Sequence, residues 1–160
     1  MRFSPLRFSM RGLLVAVTVA ALAAYWLRPP VVSAKIEWIG RELDSDDIGT
    51  MVVFRVTNTS PNSLWYWATG EQWPCSDCQT TSGGEWTNAT FVTCGMGISV
   101  YELRKGQSRV CREFFTYPEK KIRLGLQLSV DESMDEEVTV WSQPIDPKQL
   151  PIVPAEDDAA

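Results

Sequence analysis

The chain of 160 residues contains no histidine, and this absence removes several chemistries at once. Without imidazole there is no Ser-His or Cys-His dyad, and no histidine can bind a metal ion. General acid–base chemistry would have to use carboxylates, Lys, Tyr or Cys. We therefore predict a protein that is not an enzyme and that needs neither a cofactor nor a metal ion.

Positive charge is scarce beyond the first thirty residues. From Pro29 onward, 11 Lys and Arg stand against 20 Asp and Glu. Nucleic acids and anionic lipid headgroups both recruit Lys and Arg, so we predict no nucleic-acid partner for this acidic body. The acidic segments 44–47 and 131–137 offer oxygen ligands for calcium, but neither has the spacing of an EF-hand loop. We interpret both as solvated turns.

Long apolar runs are absent except for one, at residues 12–27. The arginines that flank this run are Arg2, Arg7, Arg11 and Arg28. The three that precede it obey the positive-inside rule, which keeps the N-terminus in the cytoplasm. The run approaches the ~20 residues of a membrane span when it is counted from Phe8. We predict a cytoplasmic basic segment at 1–11 and a transmembrane anchor at 12–28, which contacts the lipid bilayer of the inner membrane and holds the body outside the cytoplasm.

The same residues allow a second interpretation, a cleaved signal peptide. The sequence Ala21-Leu22-Ala23 fits a cleavage site made of small residues, and the basic and apolar regions precede it in the expected order. Cleavage there would release the body as a secreted protein. The retained anchor is preferred because apolar residues continue past this site to Leu27.

Short segments of alternating polarity dominate the rest of the chain. They predict eight strands, at residues 35–39, 51–57, 64–68, 86–94, 98–103, 108–117, 122–130 and 138–142. Their spacing is typical of an antiparallel β-sandwich, so we predict an all-β body at 34–143. Residues 69–84 are predicted to be an irregular loop. The Pro-rich, acidic segment 144–160 is predicted to be disordered, because it has little apolar surface to bury.

Three stretches resemble known patterns. Two resemble a strand with its turn and a later turn of immunoglobulin-like domains in bacterial extracytoplasmic proteins: Phe54-Arg55-Val56-Thr57-Asn58-Thr59-Ser60-Pro61 and Leu103-Arg104-Lys105-Gly106-Gln107-Ser108. The third, Arg7-Phe8-Ser9-Met10-Arg11-Gly12-Leu13-Leu14, is similar to the anchors of a large set of uncharacterised bacterial membrane proteins. The resemblance implies an antiparallel immunoglobulin-like β-sandwich of seven or eight strands, preceded in the chain by one N-terminal transmembrane helix. It implies no functional residues.

The four cysteines are Cys75, Cys78, Cys94 and Cys111. An even number in an oxidising compartment predicts two disulfides, for which three connectivities exist. If residues 86–117 form a simple meander, Cys94 and Cys111 lie about 10 Å apart, which favours pairing each of them with one cysteine of the other pair. Two alternatives remain: a redox-active CxxC at Cys75 and Cys78, and a zinc site made of all four cysteines.

Tryptophan is unusually frequent, with seven residues in the chain. Strand alternation places Trp65 and Trp67 on one face and Tyr66 on the other. Aromatic platforms can stack on sugars, and exposed aromatic patches mark interfaces. We therefore take Trp65, Trp67 and Trp86 as a candidate binding surface, with core packing as the alternative explanation.

These observations give three functional hypotheses. The first is a non-catalytic interaction or structural module of the cell envelope, with an envelope protein as its partner. The second is a glycan-binding β-sandwich that uses Trp65, Trp67 and Trp86. The third is an envelope thiol–disulfide protein that uses Cys75 and Cys78.

Overall fold

The structure is a computed structural model that describes residues 10–26, 31–42, 50–82, 84–89, 97–115 and 120–154. The chain divides into two compact units, Met1–Pro30 and Val31–Ala160. The first unit contains one helix, and the second contains the β-strands.

Helix α1 spans Met10–Trp26 and has 17 residues. Its apolar sequence is interrupted by Thr18, whose hydroxyl donates to the Leu14 carbonyl 2.9 Å away and so remains satisfied within the helix. None of the helices in the described ranges is long and apolar enough to cross a membrane. This finding contradicts the predicted transmembrane helix at 12–28, since the described helix has 17 residues where a membrane span typically has ~20. Residues 27 and 28 of that prediction lie outside the described residues.

The second unit is built from antiparallel strands. In chain order they are β1 Ala34–Glu42, β2 Thr50–Asn58, β3 Leu64–Ala68, β4 Ser76–Ser82, β5 Glu85–Asn88, β6 Ser99–Leu103, β7 Ser108–Phe115, β8 Ile122–Leu128 and β9 Val138–Trp141. They form sheets of order β1-β2-β7, β3-β6 and β5-β4-β8-β9. This mostly β architecture is consistent with a β-sandwich. The predicted fold class, seven or eight strands behind a transmembrane helix, is wrong, because the described residues form nine strands in three sheets and no spanning helix.

The core is one cluster of buried side chains, to which the apolar faces of β2 and β8 contribute. Val52, Phe54 and Val56 of β2 are buried, as are alternate residues of β8 from Ile122 to Leu128. Because side chains alternate across a strand, the residues between them face away from this core. Arg55 and Arg123 are two of these outward residues.

Strand β4 is the element that the sequence does not predict. Residues 69–84 are expected to be a loop because they alternate weakly and carry mostly polar side chains. In the structure, β4 lies between β5 and β8, and both neighbours hydrogen-bond to its backbone. Its inward residues Cys78 and Thr80 are buried. Pairing on both sides therefore compensates for the few apolar contacts of this strand.

The predicted meander of residues 86–117 is also wrong. Strand β6 pairs with β3, and β7 pairs with β2, so these two consecutive strands belong to different sheets. Cys111 lies opposite Phe54 in the β2–β7 ladder instead of opposite Val100. The alternation of each strand carries no information about its partner, which is why the sequence could not show this.

The two stretches that resemble immunoglobulin-like turns meet at Asn58. This side chain is 1% exposed; its Nδ2 donates to the carbonyls of Asn62 and Leu103, both at 2.8 Å. Its Oδ1 accepts from the amide and hydroxyl of Ser60. The Asn58 backbone also exchanges hydrogen bonds with Gly106 and Gln107. One satisfied buried amide therefore joins the turn after β2 to the turn before β7.

The segment 144–154 differs from the predicted disorder. Ile145 pairs with Ile122, a short 3-10 helix spans Pro147–Gln149, and Ile152 forms a parallel bridge with Arg41 of β1. The absence of a side chain at Gly40 permits this approach, since a Cβ there would lie 2.5 Å from Val153 Cγ1. Residues 155–160 lie outside the described residues.

Candidate functional site

The most distinctive surface feature lies on the outer face of sheet β5-β4-β8-β9. The guanidinium carbon of Arg123 lies 4.5 Å from the ring centroid of Trp86 and 4.5 Å from that of Trp141. Trp86 belongs to β5 and Trp141 to β9, which lie on opposite sides of β8 in the sheet. The guanidinium is therefore contacted by an indole from each side, at a distance that gives favourable cation–π interaction.

A glycine makes room for one of these rings. Gly125 is paired with Trp141 across β8 and β9, and a Cβ on Gly125 would lie 2.8 Å from Trp141 Cζ3. The indole of Trp141 thus lies across strand β8 at this position. This contact places the ring next to Arg123, two residues earlier on the same face.

Side-chain amides extend this surface along β4. Gln79 Oε1 accepts from Arg123 Nε at 2.8 Å and from Nη2 at 2.6 Å, while Gln79 Nε2 donates to Asn88 Oδ1 at 2.9 Å. Gln127 Nε2 donates to Asp77 Oδ2 at 3.3 Å. We call the following residues the Trp-Arg face: Asp77, Gln79, Trp86, Asn88, Arg123, Gln127 and Trp141. Its indoles are half-buried, so parts of their surfaces remain open to a ligand.

No acid among the described residues neutralises the charge of Arg123. Within the part of the chain that the structure describes, no Asp or Glu lies within ion-pair distance of its guanidinium. By contrast, the buried Arg112 pairs with Glu42 at 2.9 Å, and Arg109 pairs with Glu71 at 3.4 Å. Arg123 is therefore a positioned cation whose partners are two aromatic rings and a neutral amide.

The predicted aromatic surface divides between two sheets. Leu64, Tyr66 and Ala68 of β3 are buried, while Trp65 and Trp67 are half-buried on the opposite face, as the alternation indicates. Trp67 Nε1 donates to Glu137 Oε1 at 2.9 Å. Trp86 belongs to another sheet and contacts Arg123 instead, so the structure brings Trp86 together with a different set of residues from the predicted one.

Sequence reasoning missed Arg123, Trp141 and Gln79 as members of this surface. The outward position of Arg123 in the most regular strand is readable from the sequence. Its two aromatic neighbours cannot be predicted from the sequence, because their positions depend on β8 pairing with β9 and on β4 lying between β5 and β8.

Among the cysteines that the structure describes, the predicted disulfides are not found. Cys75, Cys78 and Cys111 are free thiols, and Cys94 lies outside the described residues. Cys78 pairs with Leu124 in one sheet, and Cys111 with Phe54 in another. No disulfide joins the three described cysteines, so two disulfides are not found, and the meander that supported their connectivity is absent. The described ranges also contain no group of three or more Cys, Asp or Glu that could hold a metal ion.

The thiols are poorly suited to disulfide exchange. Burial raises the pKa of Cys75 and of Cys78, and the Glu113 carboxylate raises both further. Burial also raises the pKa of Cys111 to about 12, although Arg109 and Arg112 oppose this shift. Exchange requires a thiolate, which a helix N-terminus or a nearby cation normally favours. Cys75 instead precedes the extended strand β4 and Cys78 lies within it, and the described residues around them provide neither a helix N-terminus nor a nearby cation.

Glu113 is a half-buried carboxyl group close to these thiols. Burial raises its pKa from the ordinary 4.5 to about 7, although hydrogen bonds from the Ser76 hydroxyl and the Phe114 amide oppose the shift. The raised pKa means that the carboxyl group titrates near neutral pH. Because the same acid disfavours the thiolates of Cys75 and Cys78, it acts against redox chemistry at the CxxC.

A second concave surface lies on the outer face of sheet β1-β2-β7. It is an open groove of about 250 Å³ whose lining includes Ile39, Val53, Val110 and Val153, with Arg55 also among its residues. Arg55 is exposed, so the groove combines apolar walls with one accessible cation. None of the described residues that line it is aromatic.

The fold and the Trp-Arg face define a mostly antiparallel β domain with one sheet face rich in aromatic and amide side chains. The sequence matches no known protein family and no curated protein. The comparison with solved structures finds matches to three chains, one of them described as "X-ray structure of Northeast Structural Genomics Consortium target SoR45". That match has a TM-score of 0.35 and 9% sequence identity, and covers 81% of this chain and 91% of the other. A similarity this low carries no argument about function.

Proposed function

We propose that this protein is a non-catalytic binding module that binds glycans through the Trp-Arg face. The single observation that carries the proposal is the combination of Trp86 and Trp141 with hydrogen-bonding side chains on one sheet face. Sugar rings present apolar C–H faces, which pack on indoles, and hydroxyl groups, which need donors and acceptors at fixed positions.

The polar side chains of the face are suited to this role because neighbours already hold them. Gln79 is fixed between Arg123 and Asn88, and Gln127 is fixed on Asp77. A ligand that binds such side chains pays a smaller entropic cost than one that must order them. An amide group can donate and accept simultaneously, and a carboxylate can accept, so together they match the dual character of a sugar hydroxyl.

Replacement of Trp141 by Ala tests the proposal. We expect Trp141→Ala and Trp86→Ala each to weaken glycan binding by about tenfold, since stacking on an aromatic ring contributes about 1 kcal/mol or more. Binding of a glycan panel is measured by calorimetry, with thermal unfolding of each variant as a check on folding.

Trp65→Ala is the matched control, because it removes a half-buried tryptophan from another sheet. It should leave affinity unchanged. Loss of binding in Trp65→Ala with full binding in Trp141→Ala would move the site to β3, and failure of the wild-type chain to bind any glycan would reject the function.

We further propose that the body acts outside the cytoplasm, after cleavage of a signal peptide that ends at Ala23. The support is the order of basic residues, apolar helix and small residues at positions 21–23. Glycans of a cell envelope would be accessible to the body in that compartment.

A further inference from the structure

We infer that the ligand of the Trp-Arg face is an acidic glycan, whose carboxylate binds the free edge of the Arg123 guanidinium. The inference rests on the proposed function and specifies its ligand class. Three features of Arg123 support it: the hydrogen bonds that its guanidinium already makes, the contacts that hold the guanidinium in place, and the charges around it.

The guanidinium has two edges that can each bind a planar acceptor. One edge, formed by Nε and Nη2, is occupied by Gln79 Oε1 at 2.8 and 2.6 Å. The other, formed by Nη1 and the second hydrogen of Nη2, has no hydrogen-bond partner among the residues that the structure describes. Two parallel N–H groups at this edge match the two oxygens of a carboxylate.

The group is also held in place before any ligand arrives. Trp86 and Trp141 contact it at 4.5 Å each, and Gln79 is itself held by Asn88. An arginine normally loses much rotamer freedom when it binds an anion. For Arg123 the sheet has already restricted that freedom, so more of the hydrogen-bond energy remains for affinity.

The charge balance favours an anionic partner. Arg109 and Arg112 are paired with acids of the chain, whereas no described acid pairs with Arg123. Aromatic rings on both sides displace water from the guanidinium, which strengthens its interaction with an anion. The chain as a whole has a formal net charge of −5, so an acidic glycan is not attracted without a specific site.

Asp77 is the acid on the Trp-Arg face, and it accepts a hydrogen bond from Gln127. It lies opposite Gly125, whereas Gln79 lies opposite Arg123. A ligand carboxylate at Arg123 therefore has its repulsive neighbour on one side only. We expect the uncharged part of the glycan to extend over the Asp77 side, where Asp77 can accept from hydroxyl groups.

The experiment compares acidic oligosaccharides with their methyl esters on the full chain. The probes are oligogalacturonate, oligomannuronate, hyaluronan fragments and sialyllactose, each as the free acid and as the ester, at one salt concentration. We expect at least one pair in which the acid binds about tenfold more tightly than the ester, as a charge-assisted bidentate contact would give. Sulfated galactan fragments form a separate arm, and preference for sulfate over every carboxylate would overturn the assignment.

Two variants connect the preference to Arg123. Arg123→Lys keeps the charge and loses the planar edge, and Gln79→Glu keeps the shape but supplies an internal carboxylate that neutralises Arg123. Both should lower the ratio of acid to ester affinity towards one. Gln79→Glu retains both indoles and Arg123, so it remains informative if Arg123→Lys folds poorly. Arg55→Lys, which changes an exposed arginine on another sheet, should keep the wild-type ratio.

The outcomes separate this inference from the proposed function. If esters and acids bind equally and Trp141→Ala abolishes both, the glycan-binding function stands and the acidic ligand is rejected. If neither form of any probe binds, both proposals fail. A preference for acids that survives in Arg123→Lys and Gln79→Glu would also reject the role of Arg123.

Discussion

At the scale of the residue, burial changes the chemistry of particular side chains. Glu113 lies inside the fold with a pKa of about 7, while the thiols of Cys75 and Cys78 are pushed further from ionisation. Asn58 shows the opposite case, a buried polar group whose hydrogen bonds are all made. Loss of contact with water is thus tolerated through protonation in the half-buried Glu113 and through complete hydrogen bonding in the fully buried Asn58.

The raised pKa of the half-buried Glu113 predicts that the free energy of unfolding falls as pH rises. Below pH 4.5 the carboxyl group is protonated in both the native and the unfolded chain, so it imposes no penalty. Between pH 4.5 and about 7 the unfolded chain ionises first, which favours unfolding. We expect Glu113 to reduce the free energy of unfolding by about 3 kcal/mol between pH 4 and pH 8.

Urea unfolding of the wild type and Glu113→Gln at these two pH values measures this contribution as the difference between the two proteins. Glu132→Gln, which replaces an exposed acid in the loop before β9, should keep the wild-type pH dependence of the free energy of unfolding. Equal pH dependence of Glu113→Gln and the wild type would show that Glu113 titrates normally.

At the scale of the element, strands are completed by contacts that are remote in sequence. Residues 144–154 contain little regular structure, yet they add a parallel backbone contact to β1. The backbone amide of Arg41 donates to the Pro151 carbonyl at 2.8 Å, and the Arg41 carbonyl accepts from the Val153 amide at 2.9 Å. The edge of β1 is thereby covered at this point, which removes unpaired backbone groups from a sheet edge.

Replacement of Gly40 by Ala should detach this segment. The new Cβ would lie 2.5 Å from Val153 Cγ1 and 2.7 Å from the Pro151 carbonyl oxygen, so the segment must move. We expect a loss of about 1–3 kcal/mol in the free energy of unfolding, together with faster amide exchange at Arg41 and Val153.

Gly70→Ala provides the control, because its nearest atom, Trp73 Cδ1, lies at an ordinary 3.8 Å. It should change exchange at neither amide. Slow exchange at Arg41 in Gly40→Ala would mean that the segment tolerates the added methyl group.

At the scale of the whole molecule, the chain consists of a helical unit, Met1–Pro30, and a β-rich unit, Val31–Ala160. Cleavage after Ala23 would fall within the first unit and leave the second intact. We expect protein recovered from outside the cytoplasm to have the mass of residues 24–160. Intact-mass measurement checks this, with Ala23→Leu expected to slow processing, because the cleavage site requires small residues.

Ala16→Leu serves as the comparison, since it lies within helix α1 and away from the proposed site. It should be processed normally. Recovery of the uncleaved wild-type chain, or of all the protein in the cytoplasm, would contradict the proposed location.

Several features could be predicted from local pattern. Alternation in residues 122–130 predicts a strand with Leu124 and Leu126 on one face and Arg123 on the other, and the structure forms β8 there over Ile122–Leu128 with that alternation. The same reasoning correctly places Trp65 and Trp67 on one face of β3. These successes share a cause, since the side-chain period of a strand is set by its own backbone.

The sequence by itself determined that this protein lacks imidazole chemistry and that its body consists of short β-strands. The tertiary structure alone decided that β7 pairs with β2, that the polar segment Ser76–Ser82 forms a strand, and that Trp86 and Trp141 contact Arg123. The reason is physical: the face on which a side chain lies follows from local geometry. The strand beside it depends on packing and hydrogen bonding between segments far apart in the chain.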